Sequence, residues 1–533
     1  MNWLKRGSRP GRQAAAEEQP SLAAVRTATT EAAARGWEEL ERLVEVLADV
    51  EETGGEDLGR AALGVLSELP RVVARLDEHA RRALWYPSYQ PPVLARLVAR
   101  VDAGAAGPIA VALATTHRDG RIREKAVAAL LARPCPELMP FLVLRTGDWV
   151  APVRDRARAG LAVLLANDSG SYLPAVLPTT LVVAGHRRGG FAHAQMLAAL
   201  ITAPTPVRQL LAASADRGQR RFVFDTALAH GWLGLDELVA AAETDGDVRI
   251  RVRAAEAACR EAVWTRRVPT LRRLVRSRRG EVRVVALTGL VRSGHDAEVL
   301  EHLDDDAALV RAVARDAARR VGVDPLVHYR TAVAAPVPAP GAIAGLAEAG
   351  SATDAALLQP LLAHVSAGVR AQAVRALHHL GGVDVDALIP LLRDPSPAVV
   401  RETTAAVRPR IRRVPPGLAW QLLTDSRAEV RRAGYRLLRD RTTAVHLRAA
   451  LTLAADRDPA LARRGCADVT RLARDAVRTS WRRTPAPELL ITVAERADLT
   501  ELTKRAAGAL GEDTAELTLR WLAATTPTDV AVS

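Results

Sequence analysis

Val153, Ala157 and Leu161 lie four residues apart in TGDWVAPVRDRARAGLAVLL (146–165), so in a helix they stack on one face. The same register returns at Ile122, Ala126 and Leu130, at Ile250, Ala254 and Ala258, and at Val282, Ala286 and Leu290. It continues at Val310, Ala314 and Ala318, then at Val369, Ala373 and Leu377. Val430, Gly434 and Leu438 repeat it, as do Leu461, Gly465 and Val469. Val400 and Leu502 open two further copies, the first a poor one with Thr404 and Arg408 at the later positions. The residue after the leading apolar one is Arg in eight of these ten copies, Ala462 and Thr503 being the departures.

Consecutive copies lie 31, 32, 28, 31, 30 and 31 residues apart. Gaps of 97 and 59 residues approximate three and two such periods, which predicts degenerate copies near Ala192, Val223 and Ile343. The 41 residues from Leu461 to Leu502 predict an insertion or a lengthened helix. About thirty residues hold two helices of about a dozen residues and two short turns. Pro397 behind Ser396 and Pro459 behind Asp458 read as first helical positions after a capping side chain. The small residue four after each leading position lets a neighbouring helix approach closely. No alternating strand pattern competes over a comparable length, so the predicted fold is all-α, an α/α solenoid.

The acidic turn, the Val-Arg pair, the small residue and the Leu resemble the short bacterial HEAT repeats of the type named after phycobilisome lyases. The resemblance covers about residues 110–512 and implies a right-handed superhelix of about a dozen helix pairs. It implies nothing about activity, because such repeats serve enzymes, scaffolds and nucleic-acid binders alike. It does imply a role for the arginines, since in HEAT arrays turn acids and helix arginines form a ladder between adjacent repeats. Asp119, Asp148, Asp247, Asp394 and Asp425, with Arg123, Arg154, Arg251, Arg401 and Arg431, would form it here.

Outside the repeats, residues 1–20 read as a disordered basic tail. Its charges precede no apolar stretch, so it is not a signal peptide, and no apolar run reaches membrane-spanning length. Residues 21–110 read as an N-terminal helical capping region, with an amphipathic helix over 31–52 stopped at Gly54-Gly55. A first block of repeats is expected at 111–330 and a second at 343–525, with a frayed tail at 526–533. Between the blocks, TAVAAPVPAPGA (331–342) has three prolines and no charge, and reads as a break or a long inter-repeat loop. WYPSYQPP (85–92) is the most aromatic stretch. Its prolines forbid a continuous helix, leaving Trp85, Tyr86 and Tyr89 either to cap the first apolar layer or to form an aromatic contact patch.

Composition refines this picture. Apolar residues make up 49% of the 533 and aromatics only 3%, so the core is expected to be Ala, Leu and Val with Trp as occasional large plugs. The formal charge is +13, and all of the 74 basic residues except Lys5, Lys125 and Lys504 are Arg, a bias that suits a GC-rich bacterial coding sequence. The charge is uneven: residues 1–120 sum to −2, 401–490 to +11 and 264–283 alone to +7. In the last stretch Arg266, Arg267, Arg272, Arg273, Arg276, Arg278 and Arg279 interleave with Leu271, Leu274 and Val275, on a helix after Pro269 and a basic turn. The bland reading is a solvated helix face. The sharper one is a contact for phosphate or an acidic partner, where Arg binds oxyanions bidentately. Trp264 is the one aromatic nearby, which favours backbone or acidic-peptide contact over base readout.

Candidate chemistry is sparse. There is no GxxxxGK loop, GxGxxG, HExxH, CxxC or GxSxG. His378, His379, Asp384 and Asp386 form one local cluster of metal-competent side chains, but adjacent histidines point to different helix faces. His186 and His193 flank a Gly-Gly and read as loop residues, and Asp304–Asp306 sit where a repeat turn expects acid. Cys135, Cys259 and Cys466 are too few and dispersed for a disulfide framework or zinc site, and suit a reducing cytoplasm. The expected function is a cytoplasmic, non-enzymatic scaffold or adaptor with one or more protein partners. No cofactor, metal, membrane or small-molecule substrate is expected. A nucleic-acid-binding solenoid using 264–283 and 401–490 is the alternative, and a lyase-like or glycosylase-like enzyme the weaker one.

Overall fold

The computed structural model describes residues 21–34, 36–80, 92–478 and 489–528, and among them every regular element is a helix. Trp85, Tyr86 and Tyr89 lie outside the described residues. The chain divides into two compact units, residues 1–234 and 235–533.

The first unit begins with four helices, Leu22–Ala34, Trp37–Thr53, Gly55–Ser67 and Pro70–His79, packed on one another. The single helix expected over 31–52 is broken: Gly36 is the N-cap of Trp37–Thr53, at φ −82° and ψ −147°, outside the helical region. Glycine has no side chain to hold a helix through that point. Helix pairs follow: Pro108–Ala114 with Gly120–Ala132, Met139–Arg145 with Ala151–Asn167, Ser169–Val183 with Gly190–Thr202, and Thr205–Ala212 with Arg217–Ala229. The second helices Gly120–Ala132, Ala151–Asn167 and Gly190–Thr202 pack each on the next. Glu51 joins the opening bundle to the first pair, its buried carboxylate accepting the Gly107 and Ile109 N–H groups at 2.7 and 3.1 Å. Those are N–H groups that a helix start leaves without partners.

The second unit is a solenoid of pairs stacked in chain order. Its second helices Val248–Trp264, Gly280–Arg292, Ala308–Arg320, Pro340–Ala349, Ala367–His379, Pro397–Val407 and Ala428–Arg439 each pack on the next. The row then changes. Pro459–Arg478 packs chiefly on its own first helix, Thr443–Ala454, and on Glu512–Ala524. At 20 residues it also accounts for the long final spacing. The segment 331–342 spans the end of Pro325–Val333, a short connection and the start of Pro340–Ala349, and those two helices pack together.

The predicted hidden copies lie on second helices with their apolar faces buried: Ala192, Met196 and Leu200, then Val223 and Ala227, then Ile343 and Ala347. Two copies have a different register. Val399, Thr403 and Val407 are the stacked set, not Val400, Thr404 and Arg408, and Leu499, Thr503, Ala506 and Leu510 replace the set opened by Leu502. Paired valines and paired threonines fit either register, and placing Val407 inside keeps Arg408 exposed.

The small position serves contact within a pair. A Cβ on Gly434 would lie 2.5 Å from Leu423 N, and one on Gly465 would lie 2.4 Å from Ala454 N, both on the preceding first helix. Trp packs at the edge of the core and not at its centre among the described residues: Trp232, Trp420 and Trp521 are half-buried against it, Trp37, Trp149 and Trp264 are exposed, and the largest fully buried side chains are Arg123, Arg145, Tyr329 and Phe141. Small-residue packing leaves no room for an indole, whereas an extended guanidinium threads between helix ends.

Candidate functional site

The arginine that follows the leading apolar residue is a staple. In Arg123, Arg251, Arg283, Arg311, Arg370 and Arg431, Nη1 donates to the carbonyl six residues back, at 2.6–3.1 Å. This satisfies a carbonyl in the turn behind each second helix. Nε and Nη2 of the same side chains reach forward to a carboxylate of the following repeat: Asp148, Glu281, Asp305, Glu348, Asp394 and Asp456, respectively. The acceptor Asp also takes a turn N–H two residues on, as Asp148 does from Val150 and Asp394 from Ser396. Burial alone would raise the pKa of Asp148, Asp305, Asp394 and Asp456, but the arginine beside each holds its carboxyl below the usual range. Where the turn offers Ser277 instead of Asp, Glu281 on the next helix supplies the acid.

Several residues expected in the ladder do other work. Asp119 and Asp247 are N-caps, accepting from Arg121 N and Arg249 N. Arg154 reaches back to the Asp148 carbonyl at 3.3 Å and pairs with its neighbour Asp155. Arg401 is exposed and pairs with adjacent Glu402, because the register shift puts Val400 at the staple position. Asp425 consequently receives no staple arginine from the preceding second helix and sits 3.6 Å from Arg393 and 3.9 Å from Arg427. Arg427 compensates from the other direction, donating to the carbonyls of Asp394 and Arg393 at 2.8 and 2.7 Å.

The basic stretch 264–283 divides. Arg272 and Arg273 are bound bidentately by Glu298 and Glu243 of flanking pairs, at 2.7–2.9 Å. Arg266, Arg267, Arg276, Arg278 and Arg279 are exposed and make no ion pair, beside an 88% exposed Trp264. His379 Nδ1 lies 3.0 Å from the Ala347 carbonyl, and Asp384 caps Asp386 N. No group of side chains that could hold a metal occurs among the described residues. His186 lies in the turn before Gly190–Thr202, and His193 on that helix packs edge-on against Phe222. Burial raises the Cys259 thiol to about 12 and the Cys135 thiol to about 11, so both are held protonated.

A cluster of guanidinium groups lies where the row of second helices changes. Arg432, Arg436 and Arg439 share one face of Ala428–Arg439 at i, i+4 and i+7. With Arg464 of Pro459–Arg478 they line a cavity of about 250 Å3, whose other walls are Tyr435, Ala460 and Leu461. Among the described residues no carboxylate lines it. Behind the wall, Asp468 accepts from the Tyr435 hydroxyl at 2.5 Å and from Arg464 Nε at 2.9 Å, which fixes both side chains. Arg439 lies 3.5 Å from Asp440, a carboxylate already engaged by Arg408. Arg432 and Arg436 carry no ion pair. Burial, then repulsion from Arg432, Arg439, Arg408 and Arg464, pushes the Arg436 pKa down. In the sequence, Arg432, Arg436 and Arg439 were legible only as part of the +11 segment.

No helix among the described residues is long and apolar enough to cross a membrane. No protein-family model matches the chain, and no curated protein matches it. Among solved structures it is similar to importin beta in an ammonium sulfate condition, at 14% identity and TM-score 0.27, over 94% of this chain and 66% of that one. Yeast importin-beta (Kap95p) gives 13%, 0.27, 94% and 68%. An engineered protein gives 15%, 0.16, 91% and 99%. The chain thus spans about two thirds of the importin chains. At TM-scores this low the chains do not superpose as wholes, and the architecture is read from the helix contacts described above.

Proposed function

We propose that the chain is a non-enzymatic HEAT-type scaffold that engages an acidic protein partner through exposed arginines of its second unit. The observation that carries this reading is the cavity lined by Arg432, Arg436, Arg439 and Arg464 with no carboxylate in its wall. Guanidinium groups such as those of Arg432 and Arg436, which make no ion pair with the described residues, recognise carboxylates and other oxyanions bidentately. A reducing cytoplasm is the compartment that three dispersed free thiols suit. A nucleic-acid backbone is the second reading, favoured by the unpaired Arg276, Arg278 and Arg279 beside exposed Trp264.

Fluorescence anisotropy separates them. The purified full chain is titrated into a labelled Glu-rich peptide, duplex DNA, single-stranded DNA and RNA at several salt concentrations. The scaffold reading expects peptide binding that is lost in Arg432→Gln/Arg436→Gln. Micromolar binding of nucleic acid at physiological salt, steeply salt-dependent and without peptide binding, would replace it with the second reading.

A further inference from the structure

The cavity at Arg432, Arg436, Arg439 and Arg464 has a shape that narrows the chemistry of its occupant. Three guanidinium groups come from one face of Ala428–Arg439 and the fourth from the second helix of the next pair, so the cations flank the cavity from two helices. The cup exists because Ala428–Arg439 and Pro459–Arg478 do not stack as the earlier second helices do. Among the described residues its one aromatic wall is Tyr435, a 2% exposed side chain whose hydroxyl is committed to Asp468 and whose ring is not offered to a stacking base. Arg464 is held by Asp468 through Nε, which keeps its guanidinium at the wall without spending the other three arginines.

A carboxylate has two oxygens and one charge. A phosphoryl monoester presents three terminal oxygens and between one and two negative charges near neutral pH. We infer that this cup takes a phosphoryl monoester carried on a partner protein, that is, a phosphorylated Ser, Thr or Tyr side chain. A phosphodiester backbone has one charge per phosphate, against up to two on a monoester, so a single site with four guanidinium groups in its wall is better matched by the monoester. The inference rests on the protein-partner reading above. The loop arginines Arg278 and Arg279 and the paired Arg272 and Arg273 play no part in it.

The test uses the full chain and four fluorescent probes: a phosphoserine peptide, the same peptide with Glu in its place, the peptide with unmodified Ser, and a single-stranded oligonucleotide without terminal phosphate. Inorganic phosphate serves as competitor at constant ionic strength. The phosphopeptide is expected to bind at least tenfold tighter than the Glu peptide and to be displaced by millimolar phosphate. Arg432→Gln/Arg436→Gln should lose at least tenfold, and Arg464→Gln should lose affinity separately. Arg278→Gln/Arg279→Gln should lose none, and unchanged far-UV circular dichroism verifies that all three variants fold. Equal binding of the phosphoserine and Glu peptides would overturn this inference and leave the scaffold reading standing. Oligonucleotide binding without peptide binding would overturn both. Phosphate binding as tightly as the phosphopeptide would make the cup a free-ion site and overturn the partner-borne assignment.

Discussion

Arg123 grips Asp148 twenty-five residues ahead, with both side chains fully buried: Nε and Nη2 donate to the carboxylate at 2.9 and 2.8 Å. Its Nη1 turns back to the carbonyls of His117 and Arg118 at 2.8 and 2.9 Å. Asp148 also faces Arg145, whose Nη1 lies 3.3 Å away and whose Nη2 reaches Asp77 at 2.5 Å. Removing one member of such a cluster strands a charge away from water. Arg123→Ala is therefore expected to cost about 3–5 kcal/mol. Arg272→Ala breaks an equally short pair in solvent and should cost far less. Urea denaturation followed by circular dichroism compares them, and equal costs would show that the staple is not a structural element.

The register at 399–407 gives a sharper contrast between neighbours. Val400→Arg restores the staple residue where Asp425 and the Asp394 carbonyl stand ready, so that variant should fold with an unchanged or higher denaturation midpoint. Val399→Arg drives a charge into a fully buried position and should cost more than about 3 kcal/mol. Arg427→Ala should weaken the native chain and be rescued by Val400→Arg. The opposite ranking of the two valines would restore the register read from spacing alone.

Helix glycines divide in the same way. Gly465→Ala forces a methyl group to 2.4 Å from Ala454 N and should lose about 1–3 kcal/mol although alanine is the better helix former. Gly508 lies on the exposed face of Val493–Leu510 with nothing within 4 Å of a new Cβ, so Gly508→Ala should gain up to about 1 kcal/mol. Thermal melts of the two variants check the signs.

Acid should weaken the second unit before its carboxylates titrate. Burial pushes the His446 pKa from 6.5 down to about 4, against the pull of Asp468 at 3.9 Å and with smaller effects of Arg471, Arg439 and Asp440. Protonation thus favours the unfolded chain. The neutral ring's contribution is complete above pH 6.5 and is lost as pH falls toward 4, roughly 3 kcal/mol for a shift of this size. Burial lowers His302 in the same direction. Urea midpoints measured at pH 7, 6, 5 and 4 should fall across this window, and His446→Gln should flatten part of the decline. A flat profile from 7 to 4 would mean that His446 titrates alike in both states.

The repeat was legible because a large–small–large stack and an Arg beside it recur without interruption, and even degenerate copies such as Ala192, Met196 and Leu200 keep the apolar face. The partner of each arginine was not legible. Its carboxylate lies 22 residues on for Arg283, 25 for Arg431, 30 for Arg251 and 37 for Arg311, on a turn in some repeats and a helix in others. Arg283, Arg311 and Arg370 went unnamed in the ladder for that reason, and Arg401 was included because Val399 and Val400 fit the period equally well. The spacing of Arg432, Arg436 and Arg439 is readable on a helical wheel. What distinguishes Arg432 and Arg436 from Arg272 and Arg273 is that no carboxylate of the described residues pairs with them, and that is a fact of three dimensions.

The missing staple at Val400 has a mechanical meaning. In a one-dimensional array each repeat is coupled only to its neighbours, so stiffness is set joint by joint. Along the second unit most joints are clamped by a guanidinium that holds a turn on one side and a carboxylate on the other. The joint between the turns at 394 and 425 has no such clamp: Arg427 reaches backward to two carbonyls and Arg393 approaches Asp425 at 3.6 Å. A bending load too small to unfold any helix would be absorbed at joints of this kind, making Val400 and the arginine-free helix Pro340–Ala349 the compliant points of an otherwise clamped spring.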